Sequence, residues 1–240
     1  MSQDPPRPSD PASAAEYARL LSLVVHELRT PASVVTGYLR MLQGDASGPT
    51  TDHQRRMIEE AEKSCERLVA IINEVGEVAR LDTGALPIRT ASTDLFELVR
   101  DGSAEVRTAD QRAVDVRLRG ANRGAVLMAD RARLGAAFSA FMSAIAREQT
   151  DEATLVIERR ILDESGAPSA LIVMSRTQAA PDLLSRHREP LNERRGGLGL
   201  ALPIARRVVE AHGGHVWSPV ADTTPDEPQH TVIVAAFPLI

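Results

Sequence analysis

One short stretch of the chain brings together a nucleophile, an acid and a hydroxyl. His26 and Glu27 are adjacent, and Thr30 and Pro31 follow within the next turn of a helix. An imidazole ring can attack phosphorus, and a neighbouring carboxylate can hold the ring tautomer and accept its proton. The pattern therefore predicts nucleophilic phosphoryl chemistry at His26.

The residues around His26 predict a long amphipathic helix. Apolar residues recur at the spacing of one helical face, at Leu21, Val24, Val25, Leu28, Val35, Leu39 and Leu42. We predict a first helix over about 13–42. Because proline lacks an N–H and crowds the preceding turn, Pro31 is expected to bend this helix and leave some backbone carbonyls free.

A second helix is predicted after a turn. Residues 44–49 are rich in turn formers, and Thr51 or Asp52 can cap a helix that runs to about Leu81. Its apolar residues follow a near-heptad register, at Met57, Ala61, Cys65, Leu68, Ile72, Val75 and Val78. The two helices form an antiparallel hairpin with an exposed apolar seam. Since two such hairpins bury the seam in a four-helix bundle, we predict a homodimer.

After residues 82–87 the pattern changes to mixed helix and strand. We predict an α+β sandwich of two layers, with helices on one face of a mainly antiparallel sheet. Helices are expected at 95–109, 131–147 and 198–212, and strands at 114–118, 126–128, 154–162, 170–174, 215–218 and 231–237. The polar stretch 177–197 is too long for a plain connector and predicts a mobile functional loop.

Composition narrows the class of protein. The net charge of −5 argues against a nucleic-acid partner. The single Cys65 excludes an internal disulfide and fits a reducing cytoplasm. Because it lies on the apolar stripe, it is expected to be buried.

No apolar run reaches the roughly 18 residues that predict membrane insertion. Residues 1–13 are rich in Pro, Ser and Asp, which predicts a disordered tail rather than a signal peptide. We expect a cytoplasmic protein whose sensing part is absent, remote or reduced to this tail.

Two motifs resemble those of the sensor histidine kinases. The string HELRTP at 26–31 fits the family's phospho-acceptor box at every position, and 14–83 resembles its dimerisation and histidine-phosphotransfer hairpin. The string GLGLA at 197–201, followed by VVEAHGG at 208–214, resembles the second glycine box and helix of the family's ATP-binding domain. The resemblance covers residues 13–240, with 84–240 as a degenerate ATP-binding-like domain.

The resemblance implies a role for each residue of the acceptor box. His26 would attack the γ-phosphorus of ATP, and Glu27 would act as general base. Arg29 would pair with the attached phosphoryl group. Thr30 matches the position that directs water during dephosphorylation of the response regulator, although its hydroxyl could instead bond its own helix backbone. The phosphoryl group would pass to an aspartate of a response-regulator receiver domain.

The second domain departs from the family where the nucleotide would bind. The family's helix carries two asparagines, one of which coordinates Mg²⁺; here the positions hold Ala140 and Ala144, and alanine supplies no oxygen ligand. The three asparagines of the chain lie elsewhere, at Asn73, Asn122 and Asn192. Ser175 stands near the place of the family's adenine-binding Asp, and a serine offers a hydrogen bond without the charge.

A glycine-rich turn is what remains of a phosphate site. Glycines let backbone N–H groups approach phosphates at the positive end of a helix, and arginines keep positive charge nearby. The candidate residues are Gly196, Gly197, Gly199, Leu200 and Arg147, with Arg194 and Arg195 beside them. We expect a structural role for His212, at a helix end, and for Trp217, in a strand.

Three functions stay open at this point. The chain is an ATP-dependent protein histidine kinase that uses ATP and Mg²⁺; or it is a phosphotransfer protein that needs neither and takes phosphate from a separate sensor or kinase; or it is a regulatory pseudokinase that is never phosphorylated. The intact acceptor box disfavours the third, Ala140, Ala144 and Ser175 disfavour the first, and the family resemblance favours the first.

Overall fold

The structure, a computed structural model, describes residues 11–44, 48–108, 112–149, 153–164, 167–177, 188–193, 199–219 and 232–239. The chain divides into two compact units, Met1–Leu86 and Pro87–Ile240. Within the described ranges, no helix combines the length and the apolar character needed to cross a membrane.

The first unit is a helical hairpin made of α1 (Pro11–Gln43) and α2 (Asp52–Asp82). Proline is well suited to the first position of a helix, because its missing N–H has no partner there. Residues 11–13, expected in the disordered tail, are therefore helical, while the remainder of that expected tail, 1–10, lies outside the described residues. Helix α1 continues through Pro31.

The start of α2 is fixed by a reciprocal cap. Thr51 Oγ1 accepts a hydrogen bond from the backbone N–H of Gln54 at 3.3 Å, and Gln54 Oε1 accepts one from the N–H of Thr51 at 2.9 Å. This capping box satisfies two backbone donors that the first turn leaves without helical partners. The N-cap is therefore Thr51, which was one of the two predicted candidates; the other was Asp52.

A narrow seam holds the two helices together. Val25 and Ala32 of α1 pack with Ile72 of α2. Gly76 lies against Val25, and a Cβ at residue 76 would come within 3.2 Å of Val25 Cγ1. Cys65 is buried, as predicted, with Sγ 3.2 Å from Thr36 Oγ1. Small residues therefore let the helices approach closely at the level of the acceptor box.

Much apolar surface of the hairpin stays exposed in the single chain. Part of it lies on the apolar stripes that the sequence indicated, at helical spacing on α1 and in near-heptad register on α2. The exposed large side chains are Tyr17, Leu20, Leu23, Val24, Leu28, Val34, Val35, Tyr38, Met41, Leu42, Met57, Leu68 and Ile71. We call the part of this surface formed by Val24, Leu28, Val35, Leu42, Leu68 and Ile71 the exposed seam.

The second unit is a two-layer α+β domain, which confirms the predicted fold class. Its elements are β1 (Ala91–Asp94), α3 (Leu95–Ser103), β2 (Asp115–Gly120), β3 (Val126–Ala129), α4 (Arg131–Arg147), β4 (Thr154–Glu164), β5 (Ala167–Ser175), β6 (Arg188–Pro190), α5 (Ala201–Ala211), β7 (His215–Pro219) and β8 (Val232–Pro238). In the described part, six strands form one sheet in the order β2-β4-β5-β8-β7-β6, and β1 pairs with β3. Strands β2 and β4 are parallel, and the other neighbours are antiparallel.

The core of this unit lies between the sheet and helices α4 and α5. The rings of Phe138 and Phe141 on α4 meet edge to face with centroids 6.1 Å apart, and Phe138 also lies 6.2 Å from Phe237 of β8. Trp217 packs in a separate buried cluster with Leu171 and Val234 of the sheet, as its sequence context predicted.

Four sequence predictions for this unit need correction. Helix α3 ends at Ser103 rather than at residue 109, because Gly102 disfavours helix and Ser103 Oγ donates back to the carbonyl of Arg100 at 2.7 Å. Strands β1 and β6 were not predicted. Strand β6 lies inside the expected loop 177–197, of which 178–187 and 194–197 fall outside the described residues. Helix α5 begins at Ala201 rather than at 198.

Candidate functional site

His26 lies on an exposed face of α1. The preceding residue, Val25, is only 6% exposed and packs against Ile72 and Gly76 of α2. Successive residues of an α-helix are rotated by about 100° around its axis, so burying Val25 turns His26 away from the hairpin core. The hairpin therefore presents the imidazole where a phosphoryl donor or acceptor can reach it.

The two polar partners of His26 in the acceptor box are also exposed. Glu27 and Thr30 both lie on the open surface of α1. At Thr36 the hydroxyl donates to the carbonyl of Ala32 at 2.9 Å, a bond within its own helix. In the described part of α1, the Thr30 hydroxyl makes no bond of this kind, so it remains open to a water molecule.

Arg29 connects the acceptor helix to the second helix. Its Nη2 donates a hydrogen bond to Oδ1 of Asn73 on α2, at 3.0 Å. Residues three apart in a helix are neighbours on its surface, so this arginine lies beside His26. From the sequence, Asn73 is notable only as one of three asparagines outside the helix where the family carries its own. A polar amide directly after the buried Ile72 is the signal that could have identified it.

The positions expected to hold Mg²⁺ lie on α4 and carry no oxygen. Asp130 caps this helix by accepting from the N–H of Arg133 at 3.2 Å, and Arg147 is exposed at its last turn. Ala144 is fully buried in the core, and Ala140 is half-buried. Mg²⁺ binds hard oxygen ligands in octahedral geometry, and a methyl group cannot replace them. The donor set at these positions does not fit a magnesium ion.

The expected adenine contact is altered as well. Ser175 ends β5, is 2% exposed, and its hydroxyl donates to the carbonyl of Thr177. A buried hydroxyl whose proton is committed to the backbone is a poor substitute for a carboxylate that receives the adenine amino group. Among the described residues, no group of three or more His, Cys, Asp and Glu side chains could hold a metal ion.

Only part of the glycine-rich turn falls within the described residues. Gly199 has a φ of 63°, in the left-handed region, and Leu200 follows as the N-cap of α5 without a side-chain cap bond. Glycine adopts this conformation without strain. Gly196 and Gly197, with Arg194 and Arg195, lie outside the described residues.

His212 joins the end of α5 to the start of α4. Its Nε2 accepts from the backbone N–H of Asp130 at 3.0 Å, and its Nδ1 lies 2.7 Å from the carbonyl of Val208. Burial alone would raise the pKa of the Asp130 carboxyl, but hydrogen bonds from the backbone of Arg133 and Arg89, with the charge of Arg133, lower it overall. His212 thus fixes two helix ends and takes no part in the candidate site.

Known histidine kinases are similar to this chain across the hairpin and the second unit. Residues 17–84 match the His Kinase A (phospho-acceptor) domain. The circadian input-output histidine kinase CikA of Synechococcus elongatus is 27% identical over 224 residues, covering 85% of this chain and 28% of that protein. The probable sensor histidine kinase TcrY of Mycobacterium tuberculosis is 28% identical over 230 residues. The match covers 89% of this chain and 44% of the length of TcrY.

A solved structure shows the same fold. Full-length ShkA in complex with AMPPNP superposes with a TM-score of 0.65 at 22% sequence identity. The superposition covers 92% of this chain and 46% of the ShkA chain. The chain spans only about a quarter to a third of the length of the first curated relatives, at 28%, 32% and 24%.

Proposed function

Because the chain belongs to the sensor histidine kinase family, we propose that it is a two-component signalling protein whose His26 carries a phosphoryl group. The acceptor of this group is an aspartate on the receiver domain of a response regulator. The observation that supports the proposal is the exposed imidazole of His26 inside a hairpin that matches the family's phospho-acceptor domain.

Phosphorylation at His26 is a substitution at phosphorus. One ring nitrogen attacks, the N–P bond forms, and the bond between phosphorus and the donor's leaving group breaks. Glu27, adjacent on the same exposed surface, receives the proton that the ring releases. In the second transfer a receiver carboxylate attacks phosphorus, the N–P bond breaks, and the ring nitrogen recovers a proton.

Arg29 and Thr30 supply the remaining chemistry of this surface. Arg29 lies one helical turn from His26, and its guanidinium would form charge-assisted hydrogen bonds with a phosphoryl oxygen. Thr30 Oγ1, free of a bond to its own helix, orients a water molecule for dephosphorylation of the receiver. Both roles are proposed by residue-for-residue match to the family's acceptor box.

The source of the phosphoryl group separates two candidate functions. An ATP-dependent histidine kinase needs Mg²⁺ to neutralise the charge of the transferring group, and Ala140 and Ala144 offer no ligand for it. The second candidate is a phosphotransfer protein that takes its phosphoryl group from a phosphorylated receiver or a separate kinase. The buried methyl group of Ala144 and the committed hydroxyl of Ser175 favour this second function. The second unit then serves as a docking or orienting module.

We further propose that the working form is a homodimer. The exposed seam of the hairpin is apolar and in heptad register, and a second copy of the same seam would cover it in a four-helix bundle. An isologous contact of this kind pairs the same surface on both copies.

A direct test uses the purified 240-residue chain and two phosphoryl donors. Potassium phosphoramidate is a small phosphoryl donor that needs no partner protein. In a short reaction it should produce one phosphohistidine on the native protein, detected by ³¹P NMR, because Glu27 assists attack by His26. His26→Ala should abolish this signal, whereas His53→Ala, which removes another exposed histidine of the hairpin, should preserve it. Absence of phosphohistidine on the native protein, or its persistence in His26→Ala, would contradict the proposal.

The second donor is γ-labelled ATP with Mg²⁺. We expect no label on the native protein, because the magnesium ligands are absent. Label that appears on the native protein and disappears in His26→Ala would instead support the ATP-dependent kinase.

A further inference from the structure

We propose that Asn73 of α2 is a positioning residue for phosphoryl transfer at His26, and that it acts by holding the guanidinium of Arg29. The inference rests on the proposed function of His26. The observation behind it is the hydrogen bond from Arg29 Nη2 to Asn73 Oδ1, 3.0 Å long, between residues 44 positions apart in sequence.

The location of this bond makes it suitable for positioning. Asn73 follows Ile72, which is 4% exposed and packs against Val25 and Ala32 of α1. One turn further along α2, Gly76 lies in close contact with Val25. Asn73 is therefore anchored on a tightly packed part of the hairpin, at the level of the acceptor box. A flexible arginine held from such a base loses less conformational freedom when its ligand arrives.

The chemistry of an amide matters as much as its position. Among the residues that the structure describes, Arg29 forms no ion pair, and its bonded partner is the neutral Asn73. A carboxylate at this position would pair with the guanidinium, neutralise much of its charge, and repel an incoming phosphoryl group. The Asn73 amide orients the guanidinium while leaving its positive charge available for the phosphoryl oxygens.

The test measures the rate constant for phosphorylation of His26 by phosphoramidate and the lifetime of the phosphohistidine. Asn73→Ala should lower the rate constant about fivefold, which lies in the range expected for loss of one ordinary, solvent-exposed hydrogen bond. Arg29→Ala should lower it more. The double variant Arg29→Ala with Asn73→Ala should match Arg29→Ala alone, because Asn73 acts only through that arginine.

A second variant separates orientation from charge. Asn73→Asp keeps an acceptor for Arg29 but adds a negative charge, and it should lower the rate constant at least as much as Asn73→Ala. Asn122 is exposed on the second unit, so Asn122→Ala and Asn122→Asp provide the same chemical changes outside the hairpin. Both controls should leave the rate constant unchanged.

Two outcomes would overturn the inference while leaving the proposed function intact. One is phosphorylation of the Asn73 variants at the native rate. The other is an additive loss in the double variant, since additivity would mean that Asn73 acts on the hairpin fold rather than through Arg29. Failure of the native protein to accept phosphate at His26 would be a different result and would contradict the proposed function.

Discussion

The hairpin and the second unit differ in the side chains that they place at their candidate sites. On α1, the side chains that could do chemistry are polar and exposed, while the small and aliphatic residues behind them are buried. On α4, the positions that would hold a metal carry methyl groups, and Ala144 belongs to the core. The hairpin therefore carries the side chains that its proposed function requires, whereas the second unit has the expected fold without oxygen ligands at the proposed metal positions.

This difference shows that a fold and its site are maintained by separate physical requirements. A core needs apolar volume and correct packing, and Phe138, Phe141 and Ala144 supply these to α4. A magnesium site needs oxygen atoms, and alanine satisfies the core without supplying any. Similarity of fold to a solved structure that was determined with AMPPNP is thus weak support for ATP binding here.

The sharpest challenge to this comparison is a nucleotide titration. We expect isothermal calorimetry of the 240-residue chain with ATP and Mg²⁺ to show no saturable binding at about 1 mM ATP. The dissociation constant is thus expected to exceed about 1 mM, which corresponds to less than about 4 kcal/mol of binding free energy. The reason is the joint loss of the metal ligands and of the adenine acceptor. Saturable heat at one nucleotide per chain would show that the second unit keeps its site, and a Mg²⁺ titration without nucleotide provides the background.

The next largest effect is expected at the exposed seam. Val35→Asp places a charge in the proposed dimer contact, and two-fold symmetry places it there twice. Burying unpaired charges is strongly unfavourable, so the dimer dissociation constant should rise by at least about 100-fold. Sedimentation equilibrium measures it.

The control for this substitution is Ala70→Asp, on an exposed part of α2 outside the seam. It should leave the dissociation constant close to the native value. A native protein that sediments as a monomer would contradict the proposed dimer, and equal effects of both substitutions would contradict the assignment of the seam.

A smaller effect, on stability, distinguishes two glycines in left-handed conformation. Gly120 in the second unit has φ of 78°, and a Cβ there would lie 2.1 Å from the carbonyl oxygen of Arg159. Gly84 has φ of 64° but nothing within 4 Å of such an atom. Gly120→Ala should reduce the free energy of unfolding by about 3 kcal/mol or more, and Gly84→Ala by only about 1 to 2 kcal/mol. Urea denaturation measures both.

The Gly120→Ala variant also tests whether the hairpin can be phosphorylated when the second unit is destabilised. Phosphorylation of His26 by phosphoramidate should continue in Gly120→Ala, because the acceptor box and its support lie in the first unit. Loss of phosphorylation in this variant would show that the second unit is needed to keep the hairpin competent.

The helices of the hairpin could be predicted closely because their regular spacing of apolar residues continues over many turns. Apolar residues at heptad spacing from Met57 to Val78 placed α2 almost to its observed ends, and Thr51 marked its start. The fold class of the second unit followed from alternating helix and strand signals. The roles of His26, Glu27, Arg29 and Thr30 stay predictions until the experiments above are done.

The missed elements carry weak local signals. Strand β1 is four residues long, reads ASTD, and exists because it pairs with Val126–Ala129. Strand β6 has three residues and depends on pairing with β7. Such pairings are set by tertiary contacts rather than by the propensity of the segment itself. Asn73 was missed for a similar reason, since its partner Arg29 is distant in sequence.

The register of the central strands has a kinetic consequence. In β5 and β8, Ser169 pairs with Pro238, so this pair forms only after nearly the whole second unit is available. The hairpin needs only neighbouring helices and a short turn. Since folding slows as contacts become more distant in sequence, and domains emerge from the ribosome in chain order, the hairpin will assemble first. The part of the molecule that we propose to carry phosphate will thus be structured while the second unit is still being synthesised.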